Sequence, residues 1–201
     1  DARAWGWQRA RLFTTIEDLL TVGFVTRELT PMFERAGAVT LLARERDTAP
    51  EVIVDEGSRG YAETGLWGDG PTGFGLRASY GDGENPFRLG RSREAVGGAR
   101  ARHTATWTPD LPEAGRYAVH VSYAARADRS EAARYTVVHA GGTTDVLVNQ
   151  SIGAGTWVYL GTFEFEAGSR GRVTLVVGTD GTVSADAVRF GGGEGVIRRG
   201  A

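Results

Sequence analysis

Two patterns of apolar residues divide this chain. Over residues 16–36 apolar side chains fall at Ile16, Leu19, Leu20, Phe24, Leu29, Met32 and Phe33, the three-to-four spacing of an amphipathic helix. Thr14 or Thr15 suits its N-cap, and Glu17 and Asp18 fill a first turn where the helix dipole favours acids. Pro31 removes a backbone donor and predicts a kink or restart, and Gly37 suits the C-cap. Val39-Thr40-Leu41-Leu42-Ala43 and Glu51-Val52-Ile53-Val54-Asp55 then read as strands, so residues 1–56 predict a partial α/β segment.

From residue 103 onward the period changes to two. Strands are expected at 103–107, 117–124, 134–139, 143–149, 157–166, 172–177 and 183–190, separated by Gly and Pro turns. Tyr117, Val119, Val121 and Tyr123 should point one way, and Ala118, His120, Ser122 and Ala124 the other. Ala140-Gly141-Gly142-Thr143 and Thr179-Asp180-Gly181-Thr182 are hairpin signals. Residues 57–100, rich in Gly and Asp, predict long loops and one or two irregular strands. The expected fold is therefore mostly β: an antiparallel, jelly-roll-like β-sandwich over 57–190, preceded by the α/β segment and followed by a Gly-rich tail at 191–201.

Composition narrows the function. The 30 glycines of 201 residues are about twice ordinary usage but lie between apolar runs, so they mark turns. A net charge of −2 with mixed signs gives no electrostatic basis for a nucleic-acid partner. Without cysteine there is neither a disulfide framework nor a thiolate metal site. No apolar run approaches the ~18 residues of a membrane span, and the first residues lack the form of a signal peptide.

Residues 104–190 resemble the golvesin C-terminal or xanthan-lyase-type carbohydrate-binding domain. The resemblance rests on Trp107-Thr108-Pro109-Asp110-Leu111-Pro112, Gly115-Arg116-Tyr117, Tyr135-Thr136-Val137-Val138-His139, Asn149-Gln150, Trp157-Val158-Tyr159-Leu160-Gly161 and Ala185-Asp186-Ala187-Val188-Arg189-Phe190. It implies a sandwich attached to extracellular or envelope-acting bacterial enzymes. The N-terminal segment, through Trp7-Gln8-Arg9-Ala10-Arg11-Leu12-Phe13, Glu17-Asp18-Leu19 and Glu34-Arg35-Ala36-Gly37-Ala38, is similar to the opening of xanthan-lyase-type enzymes that in turn resemble zinc-dependent N-acetylmuramoyl-L-alanine amidases. That resemblance puts Glu17 where a zinc-ligating glutamate would stand and makes the β module an insertion in a catalytic domain. The chain departs from the amidase pattern because His103, His120 and His139, its three histidines, all lie in the β module. One carboxylate cannot hold catalytic zinc, which takes about three protein ligands. Glu17 is thus a metal ligand only with partners outside this chain. No cofactor is expected here, zinc belongs to a full-length parent, and the chain reads as a fragment without amidase activity of its own.

Sugar rings stack on flat faces, so loop aromatics are the main binding candidates: Trp67, Phe74, Tyr80 and Phe87, which equally suit a cluster that pins loops. Trp107, Tyr117, Tyr123, Trp157, Phe163 and Phe165 fall at core-facing periods. His139 and Gln150 are polar candidates for sugar contact, each with a structural alternative in holding a loop. Asp186 is expected partly buried and bonded to a turn; with Asp180 it makes a thin calcium candidate. Asp82, Glu84 and Asn85 resemble a calcium loop only loosely. Gly73-Phe74-Gly75 lacks the strand-to-helix context of a phosphate loop. The expected partner is a polysaccharide or peptidoglycan glycan at the cell envelope or outside the cell. Self-association through the N-terminal helix and strand is the alternative motivated by the unfinished α/β unit.

Overall fold

The computed structural model describes residues 24–39, 50–78, 80, 84–99 and 102–191. Glu17 and most of the expected strand at 39–43 lie outside them, as does the expected tail beyond Gly191. The expected restart at Pro31 is present: a π-helical turn, Val25–Leu29, passes into helix α1, Thr30–Arg35, with Pro31 in its first turn. The Thr30 hydroxyl donates to Val25 O at 2.8 Å across the wide turn. Gly37 (φ 85°) ends α1. Its N–H reaches Glu34 O and that of Ala38 reaches Phe33 O, the paired bonds of a glycine C-cap.

The remainder is β. In chain order the strands are β1 Glu51–Val54, β2 Tyr61–Thr64, β3 Gly68–Gly73, β4 Gly90–Val96, β5 Thr104–Trp107, β6 Gly115–Val121, β7 Ala133–His139, β8 Gly142–Val148, β9 Val158–Phe165, β10 Arg172–Val176, β11 Thr182–Ala185 and β12 Val188–Gly191. Two main sheets run in the orders β1-β12-β6-β9 and β2-β5-β10-β7-β8, and a three-stranded sheet, β11-β4-β3, flanks them. All named pairs are antiparallel.

The fold is the expected antiparallel sandwich, with four differences of detail. First, Glu51–Val54 does not finish an α/β unit. It pairs with β12, Val54 opposite Val188 and Glu51 opposite Gly191, so the first and last strands of the sandwich lie side by side. Second, residues 57–100 hold three strands; β3 escapes notice because Gly68-Asp69-Gly70-Pro71-Thr72-Gly73 has almost no strand propensity. Third, the last expected strand is broken at Asp186 and Ala187, and its halves β11 and β12 belong to different sheets. Fourth, β6 is buried on both faces: Ala118 and His120 are as enclosed as Val119 and Val121.

Between the main sheets Val119, Phe190, Trp107, Val137, Val173 and Leu175 form the centre of one core, each almost fully buried. Complete burial of such side chains contributes roughly 1.5–3 kcal/mol each. The flanking sheet is tied in by Arg93 of β4. Its Nε donates to Glu63 Oε1 of β2 at 2.7 Å and its Nη2 to Glu63 Oε2 at 3.2 Å, while Nη1 pairs with Asp69 of β3.

Candidate functional site

Phe74 is the point where the expected candidates meet. The loop from β3 to β4 carries Phe74, Leu76, Tyr80 and Phe87, and the loop before β9 adds Trp157. The Phe74 ring centroid lies 4.9 Å from Trp157, 5.6 Å from Phe87 and 6.4 Å from Tyr80. Phe87 meets Trp157 edge-on at 5.5 Å, and the Arg189 guanidinium sits over the Trp157 ring at 5.3 Å. Trp157 was expected in the core; it precedes β9 and joins this loop cluster instead.

The cluster has a closed base and an open rim. Phe74 is 2% exposed and cannot offer a face to a ligand. Tyr80, 37% exposed, and Leu76, 48% exposed, form the rim, with Phe87 half-buried between. The rim is held in place: the Tyr80 hydroxyl donates to Gly75 O at 2.9 Å and accepts from Arg77 N–H at 3.3 Å. Asn85 Oδ1 accepts Phe87 N–H at 3.0 Å and starts a short 3-10 turn, Pro86–Arg88. Arg77 pairs with Glu84 at 3.2 Å beside it.

Three acids underlie this loop. Both Asp186 oxygens lie 3.0 Å from Phe74 N–H, and Oδ2 also accepts the Ser122 hydroxyl. Asp55 Oδ2 accepts Leu76 N–H at 3.0 Å and its Oδ1 accepts Glu56 N–H. Gly73 admits this arrangement because a Cβ there would stand 2.5 Å from Asp186 Oδ1. Asp55, Glu56 and Asp186 place carboxylate oxygens within 4.8 Å of one another, the acidic group among the described residues with the spacing of a hard-cation site. Asp180 is not part of it; that side chain accepts from Ser130 instead. Burial first, then the neighbouring Asp55, pushes the Glu56 carboxyl up to about 8. Burial pushes Asp186 up to about 7, against the lowering effect of Ser122 and Phe74 N–H. Burial thus makes Asp186 a structural acid, more enclosed than expected. Asp55 and Glu56 were not legible as its partners: their only signal is two adjacent acids ending a strand.

The other candidates do not join the cluster. Trp67 packs against the main core and donates from Nε1 to Thr64 O at 3.1 Å. His139 sits at the β7–β8 hairpin, its ring 4.9 Å from Phe163. Gly141 N–H donates to its Nδ1, which leaves the proton on Nε2, 3.1 Å from Thr144 Oγ1. Gln150 is fully buried and saturated. Its Nε2 donates to the Tyr135 hydroxyl and to Ser184 O, both at 2.8 Å, and its Oε1 accepts Ser184 N–H at 2.7 Å. The loop-holding alternative therefore describes His139 and Gln150, and neither reaches the rim formed by Tyr80.

Comparison with known proteins places this geometry in context. A family described as the Golvesin C-terminal domain matches residues 52–192. Xanthan lyase from Bacillus sp. (strain GL1) is 40% identical over 147 residues, covering 70% of this chain and 14% of that protein. The structure of Paenibacillus xanthan lyase overlays with a TM-score of 0.61 and 30% identity, covering 76% of this chain and 14% of that one. A family 35 carbohydrate-binding module from an environmental isolate overlays more distantly, at a TM-score of 0.44 and 20% identity over 70% of this chain and 93% of that one. This chain spans about one seventh of the length of the xanthan lyases it matches.

Proposed function

Because the chain belongs to the golvesin C-terminal domain family, we propose that its sandwich is a non-catalytic carbohydrate- or cell-wall-associated module of an exported bacterial hydrolase. It acts outside the cell or at the envelope and holds a polysaccharide or peptidoglycan glycan at the rim of the 74–88 loop. One observation carries this placement: Tyr80, Leu76 and Phe87 present apolar surface on a base fixed by Phe74, Trp157 and the two aspartates. A preset rim lowers the ordering cost of binding, and an aromatic edge beside the Arg77–Glu84 pair matches the mixed apolar and hydroxyl surface of a sugar ring. The xanthan lyases among its relatives are named for a polysaccharide. Titration calorimetry of the chain against an acidic exopolysaccharide and against peptidoglycan fragments tests the reading. Heat lost in Tyr80→Ala supports it, and no heat with either glycan at millimolar concentration removes it.

A second reading, association through the N-terminal segment, is favoured by the exposed Phe24, Met32 and Phe33 around α1. The third, a fragment of a zinc amidase, depends on ligands beyond Glu17. Zinc analysis of the purified chain separates it from the first, since tightly held stoichiometric zinc would require an enzyme-like site. No helix among the described residues is long and apolar enough to cross a membrane.

A further inference from the structure

Each sheet ends in strands whose outer backbone groups need covering, and five of the six outer strands are guarded. β1 has four residues, follows Pro50, and starts with Glu51, which faces Arg189 at 3.9 Å. β9 carries a bulge opposite Val119 and His120, and Ala140 N–H caps Glu164 O at 2.8 Å. β2 has four residues and bears Glu63 in the Arg93 clamp. β3 contains Pro71 and a register shift between Asp69 and Thr72. β11 is short and met by Arg129 and Ser130, whose N–H donates to Thr182 O at 2.9 Å.

β8 has none of these devices. It runs seven residues, Gly142–Val148, in unbroken register with β7, from Ala133 opposite Val148 to His139 opposite Gly142. It has no proline, lysine or arginine. Among the described residues no backbone hydrogen bond leaves it on the side away from β7. Asp145 is its single charge, and that carboxylate already accepts the Thr136 hydroxyl at 2.7 Å on the outer face. Leu147 on the same face is 55% exposed.

We propose that β8 is a self-association edge: a second copy of this chain adds its own β8 antiparallel, joining two five-stranded sheets across a two-fold axis. Antiparallel pairing sets residues opposite one another on the same face, so the axis passes through a residue. Through Asp145 it would oppose two carboxylates. Through Thr144 it sets Asp145 against Thr143, and through Val146 it sets Asp145 against Leu147, with inner and outer faces continuous in both cases. On the outer face of β7, beside the seam, Thr136 lies opposite Asp145 and the exposed Arg134 opposite Leu147, so the register through Val146 brings Asp145 of the second copy to the side of the sheet where Arg134 stands. Strand pairing alone buries little surface, so the dimer is weak, with a dissociation constant of about 100 μM.

Sedimentation velocity over increasing concentration of the chain, with amide hydrogen exchange at 143–147, tests the proposal. The expected result is a dimer that grows with concentration while those amides slow. The double variant Thr143→Asp/Leu147→Asp weakens it at least about tenfold, because either register then sets a second carboxylate directly opposite Asp145. Leu66→Lys, on an exposed loop elsewhere, leaves it unchanged. A monomer throughout, a dimer indifferent to the double aspartate variant, or one equally lost in Leu66→Lys overturns it. Glycan binding is read separately by calorimetry, so failure here leaves the rim reading untouched.

Discussion

The Gln150 node and the 74–88 rim are both polar–aromatic assemblies at strand ends, yet they are built to opposite standards. At Gln150 every amide atom has a partner, and water is excluded. At the rim the base is bonded but Tyr80 and Leu76 remain in solvent. A saturated buried amide has no bond left to offer a sugar, whereas a supported exposed ring has. Both regions contain residue types that suggest sugar contact, and only exposure after folding tells them apart.

The sharpest way to break this contrast is to damage the closed node. Gln150→Leu strands Ser184 N–H, Ser184 O and the Tyr135 hydroxyl, with an expected loss of about 3 kcal/mol of stability. Urea denaturation reads it, and a loss under about 0.5 kcal/mol would show that Gln150 is not structural. The rim should respond the other way. Tyr80→Ala should lower glycan affinity about tenfold while costing under about 1 kcal/mol of stability. Equal losses in both readouts would erase the distinction between the regions.

The acids beneath the rim sharpen it further. Folding raises the carboxyls of Glu56 to about 8 and Asp186 to about 7. The folded state therefore holds protons more tightly than the unfolded chain. Their contribution is fully present below the unfolded carboxylate range near pH 4 and is lost as pH rises through 7 to 8. Melting temperature should fall across that window in a chelator-containing buffer. Glu56→Gln should flatten the fall and stabilise the chain by about 1 kcal/mol at pH 8.5. A melting temperature that rises from pH 5 to 8 would contradict these assignments. The smallest effect is expected at the hairpin: His139→Ala removes two partly exposed hydrogen bonds and the Phe163 contact, costing about 0.5 kcal/mol with no change in glycan affinity.

What the sequence made legible follows from the range of each signal. Strands after residue 103 announce themselves by alternation that each strand carries alone, as in Tyr135 and Val137 against Arg134 and Thr136. The break at Asp186 was not legible, because Ala185-Asp186-Ala187 interrupts no apolar pattern. Its cause is distant: Phe74 N–H and Ser122 take the carboxylate, and Trp107 Nε1 donates to Asp186 O at 2.9 Å. The assignment of β1 to a helix-associated sheet failed for the same reason, since its partner lies more than a hundred residues away. Phe74 and Phe87 were visible as aromatics but not as base and rim, because burial in a glycine-rich loop is decided by what packs beneath it.

The pairing of β1 with β12 has a mechanical consequence. Glu51 and Gly191 are neighbours across the ladder, so the polypeptide enters and leaves the sandwich through a single doorway. A host protein can carry such a cassette in one surface turn without parting its own framework. Tension applied through that doorway would open the ladder rung by rung, like a zip, and not load all its bonds at once.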